Sequence, residues 1–379
     1  MLDLFSLVNV QCFDLLEMNR RLYWRLFKKE TIMNVCRVAI IGLGRMGSTI
    51  DEEVVDYPAV ALPYSIAACC AHSDRLELVA GADLLPEKRD AFGAKWGTKA
   101  LYDDYVAMIE KEKPDMVAVC TKGENHAELG VAVAELGVPM LYLEKAMACS
   151  MAKADLVRDA CLKNKTVFNT GVLRRFDVRY RVVREAIERG DVGEPIAAVH
   201  YAATNLLHGH IHSMDTLSYL LGDPAIRRVQ GELRSGEIVD NRIEKDPNAT
   251  YRMVFENGVE AWTIPAGHWE FEVLGTEGTI RSFNNGVSQS LRRLGAPVGE
   301  KKRRMLETVD LPDVTPTSAV LDCLYDLLDA QAQNRPTLGH IEVTHHITEA
   351  CFAVAQSHRE GGKWIDVPGV DRDLYIYHV

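Results

Sequence analysis

The sequence predicts an α/β protein of two domains, the first built on a parallel, doubly wound sheet. Three observations carry that expectation. The chain has 379 residues, more than a single hydrophobic core usually organises. In its first half short β-branched runs alternate with helix-like segments, the pattern of repeated strand–helix–strand units. In its second half strand-like runs follow one another with turn signals between them. The expected division is an N-terminal extension at 1–33, a first domain at 34–150 and a second α/β domain at 151–379.

The first strand, VCRVAII, runs directly into GLGRMG at 42–47. Its glycines have separate tasks: Gly42 permits a tight turn, Gly44 lets a pyrophosphate approach the backbone, and Gly47 allows close helix–strand packing. Arg45 and Met46 belong to the same turn, and the phosphates are expected at the following helix N-terminus. This is the pattern of a Rossmann dinucleotide site. The second strand, LELVAGAD, ends on Asp83, whose carboxylate suits the hydroxyls of an adenosine ribose and repels a 2′-phosphate. NAD is therefore expected ahead of NADP, with nearby Arg89 the one feature that leaves room for NADP. The stretch DEEVVDYPAVALPYS at 51–65 reads as an insertion that breaks the first helix, either a lip over a site or a surface loop. A third strand, MVAVC, leads to Thr121 and to a helix that carries His126 and ends at Gly137. A fourth, PMLYLEK, leads to Glu144 and Lys145. These residues stand at or just beyond the carboxyl ends of parallel strands, where such sheets bind ligands. Lys145 either pairs with Glu144 on the surface or enters the cleft to hold an alcohol oxygen, and its place in the topology favours the second.

The second half contains LLHGHIHSMD at 206–215, with histidines at 208, 210 and 212. On a strand the three would share one face and gather a metal ion. Their continuation into TLSYLLG instead carries them into a helix, which scatters the alternation, and no carboxylate cluster with ligand spacing accompanies them. No metal site is expected. His345 and His346, adjacent in a helical-looking segment, read as surface or core residues.

Taken in order, several motifs make the chain resemble the glucose–fructose oxidoreductase/inositol dehydrogenase (Gfo/Idh/MocA) family over nearly its whole length. They are GLGRMG at 42–47, GADLLPEKRDAFGAKWG at 81–97, LYDDYVAMIEKEKPDMVAVCT at 101–121, NHAEL at 125–129, LEKAM at 143–147, RRFD at 174–177 and GDVGEPI at 190–196. The resemblance implies a Rossmann domain followed by an α/β domain whose open, mainly antiparallel sheet floors a substrate cleft. It also implies NAD-dependent hydride transfer to or from a secondary hydroxyl of a sugar, inositol or related polyol. In that family the lysine of an E-K-P signature and a histidine serve catalysis. They fall here on Lys145 and His212, because His212, Asp215, Leu220 and Gly222 fit the H-x-x-D-x-x-x-x-L-x-G portion of the family pattern. Two departures stand out: Ala146 replaces the proline of E-K-P, and His208 stands where the fuller pattern has an aspartate, which alters the charge balance of the pocket. His212 is expected as the general base, with the ordinary imidazole pKa of roughly 6.5, and Lys145 as donor to the same oxygen. Asp215, three residues along on the same helical face, either orients His212 or only belongs to the helix's first turn. His208, Asn205 and Arg175 are expected at the substrate, but Arg175 and the adjacent Arg174 either border the nicotinamide or the substrate or only salt-bridge helices. Tyr201, Trp262 and His268 are secondary candidates.

Composition narrows the alternatives. A formal net charge of −11, from 43 basic and 54 acidic residues, argues against a nucleic-acid binder, and Lys301 to Arg304 read as a solvated loop. No apolar run is long enough to span a membrane. The basic segment RRLYWRLFKKE reads as an appended helix or as following an upstream start codon, rather than as a membrane-surface anchor, and acidic residues around it spoil a signal peptide. Nine cysteines without C-x-x-C spacing fit reduced thiols in a cytoplasmic protein. The expected partners are a small sugar or polyol and further copies of the chain, as a homodimer or homotetramer joined through the open sheet face. Two other functions stay open at this level. One is an NAD-retaining enzyme that oxidises a sugar transiently to permit elimination or glycoside cleavage; the other is a non-catalytic sugar or dinucleotide sensor. The presence of both Lys145 and His212 favours an enzyme.

Overall fold

Strand β1 (Cys36–Ile41) is buried along almost its whole length, as a central strand must be when helices cover both faces of a parallel sheet. The computed structural model describes residues 35–378; the expected extension at 1–33 lies outside them. Beside β1, strands β2 (Leu76–Ala82), β3 (Leu101–Tyr102), β4 (Met116–Val119), β5 (Met140–Leu143) and β6 (Val167–Thr170) complete a six-stranded sheet in the order β3-β2-β1-β4-β5-β6. Every neighbouring pair is parallel. The order reverses between β1 and β4, which opens a crevice at their carboxyl ends. Strand β3, only two residues long, carries no alternation that a sequence pattern could show.

The glycine turn after β1 is followed by one π-helical turn, Arg45–Thr49, and a short helix, Asp51–Val54. The chain is then irregular until the helix Ile66–Ala71. Asp51 holds the base of this insertion, its carboxylate accepting the N–H groups of Tyr64 (2.7 Å) and Ser65 (2.9 Å).

The first sheet continues past the expected boundary at 150. The helix Met151–Asn164, capped by Ser150, crosses over and returns the chain to the sheet as β6. Further cover comes from the second half of the chain. Val320, Cys323, Leu324 and Leu327 of the helix Ala319–Gln333 share one apolar cluster with Val38, Ile40, Met116 and Tyr142 of the sheet. A break at 150/151 therefore does not separate the two sheets, and the first one needs residues from both halves to bury its face.

The second sheet takes β7 (Pro195–Tyr201), β8 (Ile226–Leu233), β10 (Ala249–Phe255), β11 (Glu260–Ile264), β12 (Glu270–Gly275), β13 (Gly278–Phe283), β14 (Ser288–Leu294), β15 (Leu306–Val309) and β16 (Ile365–Asp366). Their order is β15-β14-β13-β12-β7-β11-β10-β8-β16, antiparallel throughout except for the β7/β11 pair. Strands such as β10 and β13 alternate buried with half-buried residues, so one face is core and the other is open. Helices Ile211–Leu220 and Ile341–Arg359 pack in that core. A separate parallel pair joins β9 (Arg242–Ile243) to β17 (Tyr375–Ile376).

Candidate active site

The crevice at the β1/β4 switch is shaped by missing side chains. Gly42 has φ of 91°, and a Cβ there would lie 2.8 Å from the Cys120 backbone. A Cβ on Gly47 would lie 2.2 Å from the Gly42 carbonyl oxygen, so only glycine lets the turn close. At Gly44 a Cβ would meet nothing nearer than Lys88 Nζ at 3.4 Å, which leaves the backbone open to a ligand. Asp83, at the end of β2, accepts the N–H of Leu43 (2.9 Å) and of Leu85 (3.0 Å) and still has lone pairs for a ribose. Arg89 is turned onto the carbonyls of Asp83 and Leu84, away from a 2′-phosphate role. Gly42, Gly44, Arg45, Asp83 and Thr121 line this crevice. The turn, the open backbone at Gly44 and the carboxylate at the end of β2 fit a dinucleotide.

Past Arg45 and Thr121 the crevice continues into a second cleft of about 550 Å³, which Met46, His126, Glu144, Lys145, His208 and His212 help to line. That volume suits a small molecule. His126 lies there, but its ring nitrogens face the carbonyls of Ala146 (2.7 Å) and Thr121 (3.0 Å). It ties two strand ends together and presents no free nitrogen to a cofactor. Glu144 is also held internally, by Tyr142 Oη (2.5 Å) and the Lys145 N–H (3.1 Å). Lys145 does not pair with it through its ammonium; Nζ donates instead to His208 Nδ1 at 3.1 Å. Burial lowers the Lys145 pKa below its ordinary value.

The backbone sends the three histidines to two different places. Leu206–His210 forms a π-helical turn that enters the helix Ile211–Leu220. His208 and His212, four residues apart, both reach the cleft. His210 turns into the core, where its ring meets Ser213 Oγ (3.0 Å) and the Ala249 carbonyl (2.9 Å). Among the described residues no three His, Cys, Asp or Glu side chains are grouped to hold a metal ion. The turn is secured by Asp246, which accepts the N–H of Leu207 (2.9 Å) and of His208 (2.7 Å). Burial, with Lys145 adding to it, pushes His208 down to about 4. His212 is held well below the ordinary imidazole range, first by burial and then by Arg174 and Lys145; its Nδ1 is buried without a partner.

Three expected site residues lie elsewhere. Asp215 does not orient His212: its Oδ1 accepts Arg175 Nε at 2.6 Å. Arg175 is fully buried between Asp215 and Asp223 (2.7 Å), so it touches no substrate. Asn205 donates to the Asp246 carbonyl at 2.7 Å and steadies the loop behind the cleft. Among the secondary candidates, Tyr201 and Trp262 stand on the open side of the second sheet, where Tyr201 donates to Glu272 and Trp262 lies beside Arg252, and His268 is exposed. His346 accepts the Ile226 N–H and His345 contacts Asp155, both within the fold.

Arg174 and the insertion, both expected near the site, border the cleft; Trp269, Asn285 and, behind the cleft, His378 were not anticipated. Arg174 lies 4.7 Å from the Trp269 ring centroid, and its Nε and Nη2 donate to Asn285 Oδ1. The insertion supplies Tyr57, Val60 and Tyr64, and Arg179 pins it by donating to the carbonyls of Pro58 (3.1 Å) and Ala59 (2.6 Å). The insertion thus borders the cleft as a lip. His378 comes from far along the chain to pack on Gly123, with its ring 5.7 Å from that of His208 and its Nδ1 3.7 Å from Asp246. Nothing local in the sequence marks it.

Comparison with known proteins gives two family matches along the chain. Residues 36–172 match the oxidoreductase family with an NAD-binding Rossmann fold, and residues 200–367 match the C-terminal alpha/beta domain of the same family. The myo-inositol 2-dehydrogenase of Thermotoga maritima is 28% identical over 294 residues, 71% of this chain and 81% of that protein. The scyllo-inositol 2-dehydrogenase (NAD(+)) of Bacillus subtilis is 26% identical over 64% of this chain and 72% of its own. The D-glucoside 3-dehydrogenase of Escherichia coli is 28% identical over 51% of this chain and 56% of its own. Among solved structures, an inositol dehydrogenase homolog from Azotobacter vinelandii, complexed with NADH and myo-inositol, superposes with a TM-score of 0.68 at 18% identity, over 87% of this chain and 97% of that one. The aldose-aldose oxidoreductase of Caulobacter crescentus gives 0.69 at 18% identity, over 88% and 99%. At that identity the structures speak for the fold.

Proposed function

The chain belongs to the Gfo/Idh/MocA oxidoreductase family, and from that premise we propose that it moves a hydride between NAD and a carbon bearing a secondary hydroxyl in a sugar, inositol or related polyol. The observation that carries this reading is the meeting of Lys145 and His212 in a cleft continuous with the dinucleotide crevice. The relatives named as inositol and glucoside dehydrogenases support the substrate class. NAD, when bound, supplies the hydride acceptor. Gly42, Gly44, Gly47, Arg45 and Met46 would border its phosphates and Asp83 its ribose, with Thr121 and Glu144 near the cleft end.

On the protein side, Lys145 uses one ammonium proton on His208 and keeps two others. One of these meets the substrate oxygen and stabilises the negative charge that builds as the hydroxyl proton leaves. His212, neutral because of its burial, accepts that proton. His208 aims the ammonium and needs no proton of its own. Supporting a homodimer or homotetramer is the open face of the second sheet. A cytoplasmic setting is supported by the eight described cysteines, all free and buried. No described helix is long and apolar enough to cross a membrane.

The test is absorbance at 340 nm while protein and NAD meet a panel of inositols, aldoses and glycosides. NADH should form with at least one compound. His212→Ala should lower its turnover by about 100- to 10,000-fold while NAD still binds. Near-normal turnover in that variant would remove His212 from the chemistry. A glycoside consumed without NADH would transfer the reading to transient oxidation followed by cleavage.

A further inference from the structure

The carboxylates that border the cleft are already bonded within the protein, whereas two of its cations have no carboxylate partner among the described residues. Asp177 accepts Arg179 through both oxygens and also takes the Arg179 N–H. Glu144 is held by Tyr142 and the Lys145 backbone. Asp246, behind Lys145, accepts two backbone N–H groups. Asp215 faces away, onto Arg175. Arg45 has Glu53 at 2.7 Å. This leaves Lys145, whose ammonium meets neutral His208, and Arg174, whose Nε and Nη2 meet only the neutral Asn285 amide oxygen. The rest of its guanidinium lies against neutral rings, 4.7 Å from that of Trp269, 5.6 Å from Phe271 and 6.0 Å from Tyr180. Arg174 is half-buried, so its charge is less screened than on an open surface. A protein that buries a cation normally pairs it.

The two cations border adjoining hollows that share His208, His212 and Trp269, Lys145 in one and Arg174 in the other. The Trp269 ring lies 4.7 Å from the Arg174 guanidinium and 6.4 Å from the His212 imidazole, so a molecule touching His212 can also reach Arg174. We propose that the substrate is an anion: a sugar acid or other polyol carboxylate, whose carboxylate pairs with Arg174 while its carbinol lies between Lys145 and His212. The proposal rests on the hydride-transfer reading and specifies its substrate. The reacting carbon loses its hydrogen with both electrons, as hydride to NAD, and its hydroxyl loses a proton to His212. The C–O bond becomes a carbonyl, and the carboxylate is left intact, giving a keto acid. The histidine at 208, where an aspartate would place a negative charge beside Lys145, suits such a substrate, because an aspartate there would repel it.

Matched pairs of compounds separate charge from the polyol frame: D-glucuronate with D-glucose, and D-galacturonate with D-galactose. Each is followed at 340 nm with saturating NAD, and binding of all four to the NADH-bound protein is measured by calorimetry. Each acid is expected to exceed its neutral partner in kcat/KM by roughly 10- to 100-fold, the size of a charge-assisted pair. Arg174→Gln should bring that ratio toward unity, and Arg174→Lys should keep part of it. A neutral sugar used as well as its acid, or a ratio unmoved by Arg174→Gln, overturns the anionic substrate and leaves the dehydrogenase standing. Acids that neither react nor bind also overturn it. Failure of the hydride-transfer reading looks different: no compound gives NADH, yet the acids still bind more tightly than the neutral sugars through Arg174.

Discussion

His212 meets the cleft with a ring that is hard to protonate, since burial and the charges of Arg174 and Lys145 all disfavour its cation. As a base it must start neutral, so the acid limb of kcat/KM should fall below the ordinary imidazole pKa of roughly 6.5. Lys145 must stay charged to donate, and its pKa is lowered too, so activity should fade on the alkaline side below the usual lysine range. Both limbs of the profile therefore shift toward acid. An acid limb at or above pH ~6.5 would contradict the assignment. His208→Asp should move the alkaline limb upward, because a carboxylate beside the ammonium favours its charged form. Asp83→Ala should weaken NAD binding and narrow its preference over NADP, read as the ratio of the two KM values; loss of the bonds to Leu43 and Leu85 adds to the first effect. Arg175 behaves differently, because it separates two carboxylates inside the fold. Arg175→Met should cost about 3–5 kcal/mol of stability, seen as a lower denaturant midpoint at unchanged slope. A raised KM at unchanged stability would return Arg175 to the substrate. His212 was legible because its motif is local and its helix continues in register. The partners of Asp215 and Arg175 were not, since the two lie 40 positions apart and only the packing of their helices brings them together.

At the scale of elements, the parallel strands and their crossovers were readable from buried apolar runs, while connections held by distant partners were not. The segment 369–378 is the clearest case. Its start is anchored by buried Glu349, which accepts the N–H of Gly369 (3.1 Å) and of Val370 (3.3 Å) and pairs with Arg372 (2.6 Å). Arg372 also reaches Asp155 at 3.2 Å. Further on, Ile376 donates to the Cys149 carbonyl at 2.9 Å, and β17 lies along β9. The segment thus runs as a strap from the helix Ile341–Arg359 to the backbone just beyond Lys145, and it delivers His378. The groups facing His378 are Lys145, His208, His126 and Asp246, and burial with the first two lowers its own pKa to about 3, so it is neutral at working pH. A neutral ring packed there adds no charge beside Lys145 and fills space that water would otherwise take. His378→Ala should admit water, raise the Lys145 pKa toward its ordinary value and move the alkaline limb of kcat upward. A lower kcat with an unmoved limb would mean that the ring only packs.

At the scale of the whole molecule, the two layers bury themselves unequally. The first sheet is covered on both faces and takes back a helix from the second half of the chain to achieve it. The second sheet covers only one. Its open face carries Val199, Val254 and Trp262 among cross-strand ion pairs such as Arg252 with Glu260 and Arg281 with Glu270, and Ile264 is 42% exposed. Charges paired across strands leave a surface with little repulsion of its own, and apolar side chains between them gain about 25 cal/mol per Å² on being covered. A second copy related by a two-fold axis would present the same strands and cover both faces at once. Sedimentation equilibrium should therefore show a dimer or tetramer, and Trp262→Glu should shift it toward monomer by removing the apolar ring and taking a second carboxylate, beside Glu260, into the contact. The cleft lies on the helix-covered side, beyond His208 and His212, so the monomeric variant should still bind NADH. A monomeric wild type, or an assembly indifferent to Trp262→Glu, would mean that the copies do not meet through this face.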